Sequence, residues 1–410
     1  MTEVIPFKGF IYNSNIVNIE DVVSPPYDII TEEKKDILYQ HSVHNIVRVD
    51  FGRILPDDNE KINKYTRASS ILQDWINNGI IKQTKKESYY LYEATYNIGS
   101  TQHIMRGIFG AVKLVELGKG VFPHEETHSK PKADRLNLMR ACNANTSPIF
   151  SLYSLSNSKS SKVIEKTSQT HPFLDYTDSQ GLRHKCFIID EQSDVKTIKE
   201  ELSGRDIFIA DGHHRYETAL EYKNWMGASD KVSGYDYILM LLVNIADGGI
   251  TILPTHRMIK TIPDDFIGLL SPYFEIKHIE TNTLNITQTI SGLKHGFGLY
   301  INGLNGFYTL TYTGEGLTNL PSQLKDLDVT ILHKLILERL FKIIDFGYEM
   351  DELTTIKKVQ VGEFKAAFFL NPTAVEDVER VSKANLRMPP KSTYFYPKIP
   401  TGLVLNCFDR

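Results

Sequence analysis

The stretch DIFIADGHHRYETALEYKNW (Asp206–Trp225) leaves its backbone few choices. Four apolar residues, Ile207–Ala210, read as a short buried strand. Asp211 and Gly212 break the run, and from His213 the spacing becomes helical. Passing from strand to helix within two residues requires a sharp bend, and Gly212 permits the backbone angles such a bend asks for. The start of a helix presents free backbone N–H groups and the positive end of the helix dipole, a ready place for an anion. His213, His214 and Arg215 add donors there, and a guanidinium suits a two-pronged grip on phosphate or carboxylate. Asp211 sits at the strand end, where reactive groups are commonly placed. The run has neither the spacing of a Walker A loop nor that of a dinucleotide fingerprint. It is read as an anion site, with phosphate the favoured anion. A plain helix cap by Asp211 with surface histidines is the alternative.

The rest of the chain mixes the same two periodicities. HNIVRVDFG, YYLYEATY, MRGIFGAVKLVEL, SPIFSLYS, KCFIID and YDYILMLLVNI read as strands, rich in β-branched and aromatic residues. TEEKKDILYQ, EKINKYTRASSILQDWINNG, KADRLNLMRACNAN and the apolar LDVTILHKLILERLFKII read as helices. Gly79 closes the second of these as a C-cap. Because the elements alternate without strict β-α order, the expectation is an α+β (mixed α/β) fold, mixed sheets flanked by helices. A main domain over 1–260 and a smaller C-terminal α+β region over 261–410, ending in a Lys/Tyr-rich tail, are expected.

Bulk properties exclude several classes. A formal net charge of -4 gives no basic footprint for a nucleic-acid backbone. Three scattered cysteines, Cys142, Cys186 and Cys407, argue for a reducing compartment and against a disulfide frame or thiolate zinc site. No signal peptide or membrane-length apolar run is seen, so a cytoplasmic location is expected.

The segment FPHEETHSKPKADR (Phe122–Arg135) contains HEETH, a literal match to the H-E-x-x-H zinc signature. Two imidazoles four apart share a face only on a helix, and a zinc site needs that helix buried. Here the flanks are polar, and Pro131 disfavours helical dihedrals at Lys130. The zinc-protease reading is therefore rejected. The segment instead offers His124 and Glu125 as acid or base, and Lys130, Lys132 and Arg135 as phosphate-binding charge. His256 and Arg257, in PTHR after another strand, form a second His-Arg pair that either binds phosphate or is a strand end with solvated polar groups. Lys391, with Ser392 and Thr393, reads as a phosphate-gripping tail or as an ordered strand. Tyr27 either stacks on a ligand or packs, and packing is the commoner fate. Arg48 and Asp50, two apart on a strand, would share one face as a structural pair.

Several longer segments carry a resemblance. SPPYDII (Ser24–Ile30), HNIVRVDFG (His44–Gly52), RGIFGAVKL (Arg106–Leu114), PHEETHSKPKADRL (Pro123–Leu136), FIADGHHRYETAL (Phe208–Leu220), LPTHRMI (Leu253–Ile259) and MPPKSTYFYPKIPTGLVL (Met388–Leu405) resemble, nearly end to end, the prokaryotic family catalogued as domain of unknown function 1015. The DGHHR turn is also similar to the phosphate-binding turn of the ParB–sulfiredoxin superfamily, one branch of which phosphorylates free serine. That similarity implies that part of the fold is ParB/sulfiredoxin-like. A cysteine used by the sulfiredoxin branch is replaced here by His213, which disfavours sulfinic-acid reduction. The resemblance implies a phosphatase or kinase of serine biosynthesis acting on phosphoserine or serine. In this reading Asp211, His213, His214, His124 and Glu125 are catalytic, and Gly212, Arg215, Lys130, Lys132, Arg135, His256, Arg257 and Lys391 bind phosphate. Mg²⁺ is the expected metal, and a nucleotide or other phosphoryl donor is expected for a kinase. The partner would be a small phosphorylated metabolite, with no nucleic acid and no membrane. A ParB-like nucleotide-binding or regulatory module and a metal-dependent hydrolase of a non-phosphate substrate remain the alternatives.

Overall fold

The computed structural model describes residues 2–125, 129–227 and 233–408, and of residues 129–131 the backbone alone. The chain divides into two units. One comprises Met1–Pro123, Thr127–Ile250 and Pro397–Arg410, the other His124–Glu126 and Thr251–Tyr396. The crossing after Ile250 precedes the boundary expected at 260, and the last segment returns to the first unit.

The first unit is built on a nine-stranded mixed sheet. Its order runs Val121–Phe122, Ile207–Asp211, Ile149–Tyr153, Tyr237–Asn244, Thr101–Lys113, Tyr89–Ile98, Arg183–Ile189, Leu174–Thr177, with Val4–Ile5 also on Thr101–Lys113. Ile207–Asp211 runs parallel to Val121–Phe122 and antiparallel to Ile149–Tyr153, which itself runs parallel to Tyr237–Asn244. The strand YILMLLVN is buried at every position, as a central strand covered on both faces should be. Helices cover the sheet. Lys64–Asn77 begins in a capping box at Asn63, and Gly79 at φ 68° follows its end, as the sequence pattern implies. Helices Ser129–Cys142 and His213–Met226 pack on each other and carry Lys130, Lys132, Arg135, His213, His214 and Arg215.

The second unit holds a six-stranded antiparallel sheet, ordered Phe274–Ile279, Phe307–Tyr312, Gly296–Ile301, Ala366–Leu370, His256–Ile259, Gly347–Glu349. Its core gathers Met258, Ile286, Ile290, Phe307, Val359 and Phe369. The apolar helix expected over 327–344 starts at Asp328, but from Ile331 to Leu340 it winds with π-helical hydrogen bonding, Phe341 N donating to Ile336 O at 2.9 Å.

Three local expectations are corrected. HNIVRVDFG is no strand: Val47–Asp50 is a helical turn. Asn45 overrides the β-branched composition, its Oδ1 accepting from Val47 N while its Nδ2 donates to the Asp21 and Val23 carbonyls. Arg48 donates to the carbonyls of Tyr39 and Ser42 rather than pairing with Asp50. Nor does Pro131 keep Lys130 out of a helix, because the helix begins at Ser129 and residue 131 falls in its first turn, where a proline is tolerated. The opening of HEETH is extended, with Glu125 bridged to Met388, while Glu126 to His128 lie outside the described residues. The mixed α/β architecture itself is as expected. Among the described residues no helix is long and apolar enough to cross a membrane.

Candidate functional site

Ile207–Ala210 are buried, and the strand register against Ile149–Tyr153 shifts between Ile209 and Asp211. Such a bulge re-aims the residue that follows it, here Asp211. Gly212 then takes φ 102° and ψ 26°, and the helix begins at His213. Gly212 brings no side-chain oxygen to cap that helix. A Cβ at this position would lie 2.9 Å from Arg215 Nε and 3.1 Å from its Cζ. The guanidinium is therefore folded back over the bend, in space that only glycine leaves open.

Three charges meet there. Asp211 Oδ2 accepts from Lys398 Nζ at 3.0 Å, and Asp211 Oδ1 lies 3.7 Å from Arg215 Nη2. Arg215 Nη1 donates to the Pro148 carbonyl, whereas its buried Nε has no hydrogen-bond partner among the described residues. Burial pushes the Asp211 carboxyl up, but the Lys398 and Arg215 charges, the Lys398 hydrogen bond and His213 outweigh it and hold it well below the usual carboxylate range. His213 is buried in the first turn of the helix. With Asp211 ionised, Arg215 and Lys398 leave the bend one positive charge in excess.

The neighbouring helix supplies a third cation that is already engaged. Arg135 Nη1 donates to the Asp50 carbonyl at 2.7 Å, and its Nε and Nη2 donate to Asp134 Oδ2. The Tyr27 ring lies 4.1 Å from the Arg135 guanidinium, so this tyrosine packs as a cation–π partner. Asp134 also accepts from Lys64 and Tyr65; burial pushes its carboxyl up, but the Arg135 and Lys64 cations hold it at about 2. Lys132 pairs with Glu217 at 2.9 Å. The Lys130 side chain lies outside the described residues. Between the two helices is a cavity of about 30 Å³ lined by Arg135, Asn145, Thr146, Ser147, Arg215 and Thr218. Arg215 Nε and Asn145 Nδ2, on two of its lining residues, are buried donors without partners among the described residues. A polar space this size takes one or two waters, which would satisfy them.

The remaining candidates belong to the second unit. His124 is fully buried, its Nε2 2.9 Å from Thr393 Oγ1, and Thr393 also reaches Glu125 Oε1 at 3.4 Å. Arg257, expected at a strand end, is instead fully buried in the sheet. Its Nε donates to His333 Nε2 at 2.9 Å and its Nη2 to the Lys391 carbonyl at 2.8 Å, while Nη1 goes to the Thr255 carbonyl. Its Nη2 thereby fastens the Pro390–Lys391 turn, where Lys391 adopts φ 56° with an exposed side chain. Arg257 is thus a strut for the tail, and His333 must stay neutral to accept from it; burial and the Arg257 charge hold that imidazole at about 3.

His256 is fully buried against Phe369, and among the described residues neither ring nitrogen has a hydrogen-bond partner. Burial and the adjacent Arg257 lower its pKa to about 4, although Glu349 and Asp351 pull the other way. Because the unfolded chain protonates near ~6.5 and the folded one does not, stability is full above that pH and falls as pH drops toward the folded value. His256→Leu should therefore raise stability near neutral pH by about 1–3 kcal/mol. It should also remove about 2 kcal/mol of the loss between about pH 7 and about pH 5. Thermal melts across that range check this; equal slopes for both proteins would contradict it.

The sequence singled out Asp211, Gly212, His213, His214 and Arg215, and the fold places them at one bend. Lys398 and the Pro148 carbonyl were not anticipated as partners. They come from 187 and 67 positions away, and nothing local to the bend signals them.

The family model described as "Protein of unknown function (DUF1015)" matches residues 4–330. No curated protein matches the chain. Among solved structures it is similar to a conserved hypothetical protein from Pyrococcus furiosus, at 15% identity and TM-score 0.36 over 72% of this chain and 93% of that one. A free serine kinase in complex with AMP matches at 13% and 0.37, over 70% and 86%. SbnI with C-terminal truncation from Staphylococcus aureus matches at 9% and 0.36, over 71% and 84%. Likenesses this distant assign no residue a role.

Proposed function

We propose that the chain, which belongs to the DUF1015 family, transfers phosphoryl groups to or from a small metabolite, with phosphoserine or serine the favoured substrate. The observation that carries this reading is the bend itself: a left-handed Gly212 with the Arg215 guanidinium folded over it and one buried N–H unspent. The adjacent cavity is too small for a phosphate while Arg215 holds the Pro148 carbonyl. A phosphoryl oxygen is the stronger acceptor, since charge-assisted hydrogen bonds are about twice as strong as neutral ones. Arg215 would exchange one for the other and open the space. Lys398 adds a second cation beside the developing charge.

Asp211 stays ionised at neutral pH, so in this account it does not donate a proton; it orients Lys398 and Arg215. Proton transfer falls to His213 or His214, histidine being the side chain whose ordinary pKa suits it. His124 and Glu125, held by Thr393, remain proposed acid–base groups of the second unit. Asp211 is occupied by two cations, and among the described residues no group of three or more His, Cys, Asp or Glu is arranged to hold a metal. The donor set therefore does not fit Mg²⁺, and no step is routed through it. Serine as substrate rests on the family resemblance. In the synthetic direction the donor would be a nucleotide or another phosphorylated compound.

The test is phosphate release from O-phospho-L-serine and, in reverse, phosphoserine formation from serine with a phosphoryl donor. Asp211→Ala, His213→Ala and Arg215→Ala should each lower turnover by about 100-fold or more. Full turnover in all three would remove the bend from the chemistry.

A further inference from the structure

The second unit contains a cleft of about 470 Å³, within the roughly 300–1,000 Å³ typical of small-molecule sites. It lies beside strand Phe307–Tyr312 and the turn that follows. At its side His295, just before strand Gly296–Ile301, adopts φ 52°, a conformation few non-glycine residues hold. Its Nδ1 meets Asp328 Oδ1 at 2.8 Å, and both side chains are mostly buried, at 17% and 21% exposure. The Tyr312 ring stands edge-on 6.1 Å away. With Nδ1 committed to Asp328, the ring is oriented and Nε2 is the nitrogen left over, without a hydrogen-bond partner among the described residues.

The lining carries charge of both signs. Lys294, Lys325 and Asp326 all face this cleft, and none forms an ion pair among the described residues. Asp326 is near enough to the Tyr312 phenol to help raise its pKa, behind burial and Glu315. Thr311 and Thr318 add hydroxyls, whereas the Thr313 hydroxyl donates to the Tyr273 carbonyl at 2.9 Å and can only accept. A simple anion would satisfy the lysines and be repelled by Asp326; a simple cation would meet the reverse. From this complementarity we infer that the cleft binds a small zwitterionic, polar amino acid. Its carboxylate would meet Lys294 and Lys325, its ammonium Asp326, and His295 and the threonines would take its side chain. Nothing in this inference depends on the chemistry at Asp211–Arg215.

The test follows the His295 ring by NMR in histidine-labelled full-length protein, the signal being assigned by its loss in His295→Asn. L-threonine and L-glutamine are titrated singly, then acetate and methylammonium as the two separated charges. The amino acids should shift the His295 signal saturably, the separated charges should not, and Lys325→Gln or Asp326→Asn should weaken binding about tenfold or more. Both substitutions are at exposed positions that the fold does not need. Arg215→Ala should leave this binding unchanged, which separates its outcome from that of the phosphoryl-transfer reading. The inference is overturned if no amino acid moves the signal, or if acetate alone moves it equally. It is also overturned if His295→Asn merely lowers the melting temperature while no probe binds, since the His295–Asp328 contact would then be a structural staple.

Discussion

Gly212→Ala should abolish phosphoryl transfer, by about 100-fold or more, while costing about 1–3 kcal/mol of stability. The backbone holds φ 102° at this position, where a side chain is strained. The new methyl would also meet Arg215 Nε, Cζ and Nη2 at 2.9 to 3.1 Å. Since those atoms end a flexible side chain, the guanidinium would yield, leaving the Pro148 carbonyl and the bend together. The backbone term and the loss of the grip can be told apart. Gly99, in the turn between Tyr89–Ile98 and Thr101–Lys113, also has positive φ, at 59°, with open space where a Cβ would go. Gly99→Ala should show the strain alone, a lower melting temperature with unchanged turnover. Steady-state kinetics and thermal melts of the two variants make the comparison. If Gly212→Ala keeps its turnover, the bend is a structural turn only.

Lys398→Met should have the larger effect on stability, a loss of about 3 kcal/mol. Its ammonium and the Asp211 carboxylate are 3.0 Å apart, and their side chains are 15% and 19% exposed. Removing the lysine leaves an ionised carboxylate in a poorly hydrated place, with Arg215 at 3.7 Å as the remaining neighbour. The carboxyl pKa must then rise. In the native protein it is depressed, so the stability this pair supplies is present above the unfolded value of about 4 and lost as pH falls through the folded one. Asp211→Asn should be less harmful than Lys398→Met, because it removes the buried charge rather than stranding it. A double-mutant cycle by denaturant unfolding should give a coupling of about 1–3 kcal/mol. Coupling near zero would mean that the pair is solvated and holds nothing in place.

What the sequence revealed was mostly local. IFIAD followed by Gly212 could hardly form anything but a strand, a bend and a helix, and Lys64–Asn77 carried its own start and stop signals. Where local composition misled, a side chain reaching across the chain was the cause. Asn45 bonds the carbonyls of Asp21 and Val23 and bends a β-branched run into a helical turn. Arg257 and His256 look like a polar strand end in PTHR. They are buried because Gly347–Glu349 and Ala366–Leu370, far along the chain, pair on either side of them. Arg135 read as a free cation since its partners include Asp50, 85 positions away. The candidate site was thus legible as a bend with donors. Which of those donors are already spent depends on contacts that no short window contains.

The most direct measurement is a crystal structure of the full chain grown or soaked with inorganic phosphate. The account predicts an anion at the start of the His213–Met226 helix, with Arg215 turned from the Pro148 carbonyl onto its oxygens and Lys398 still on Asp211. An empty bend, with Arg215 holding Pro148 while phosphate binds elsewhere, would contradict it.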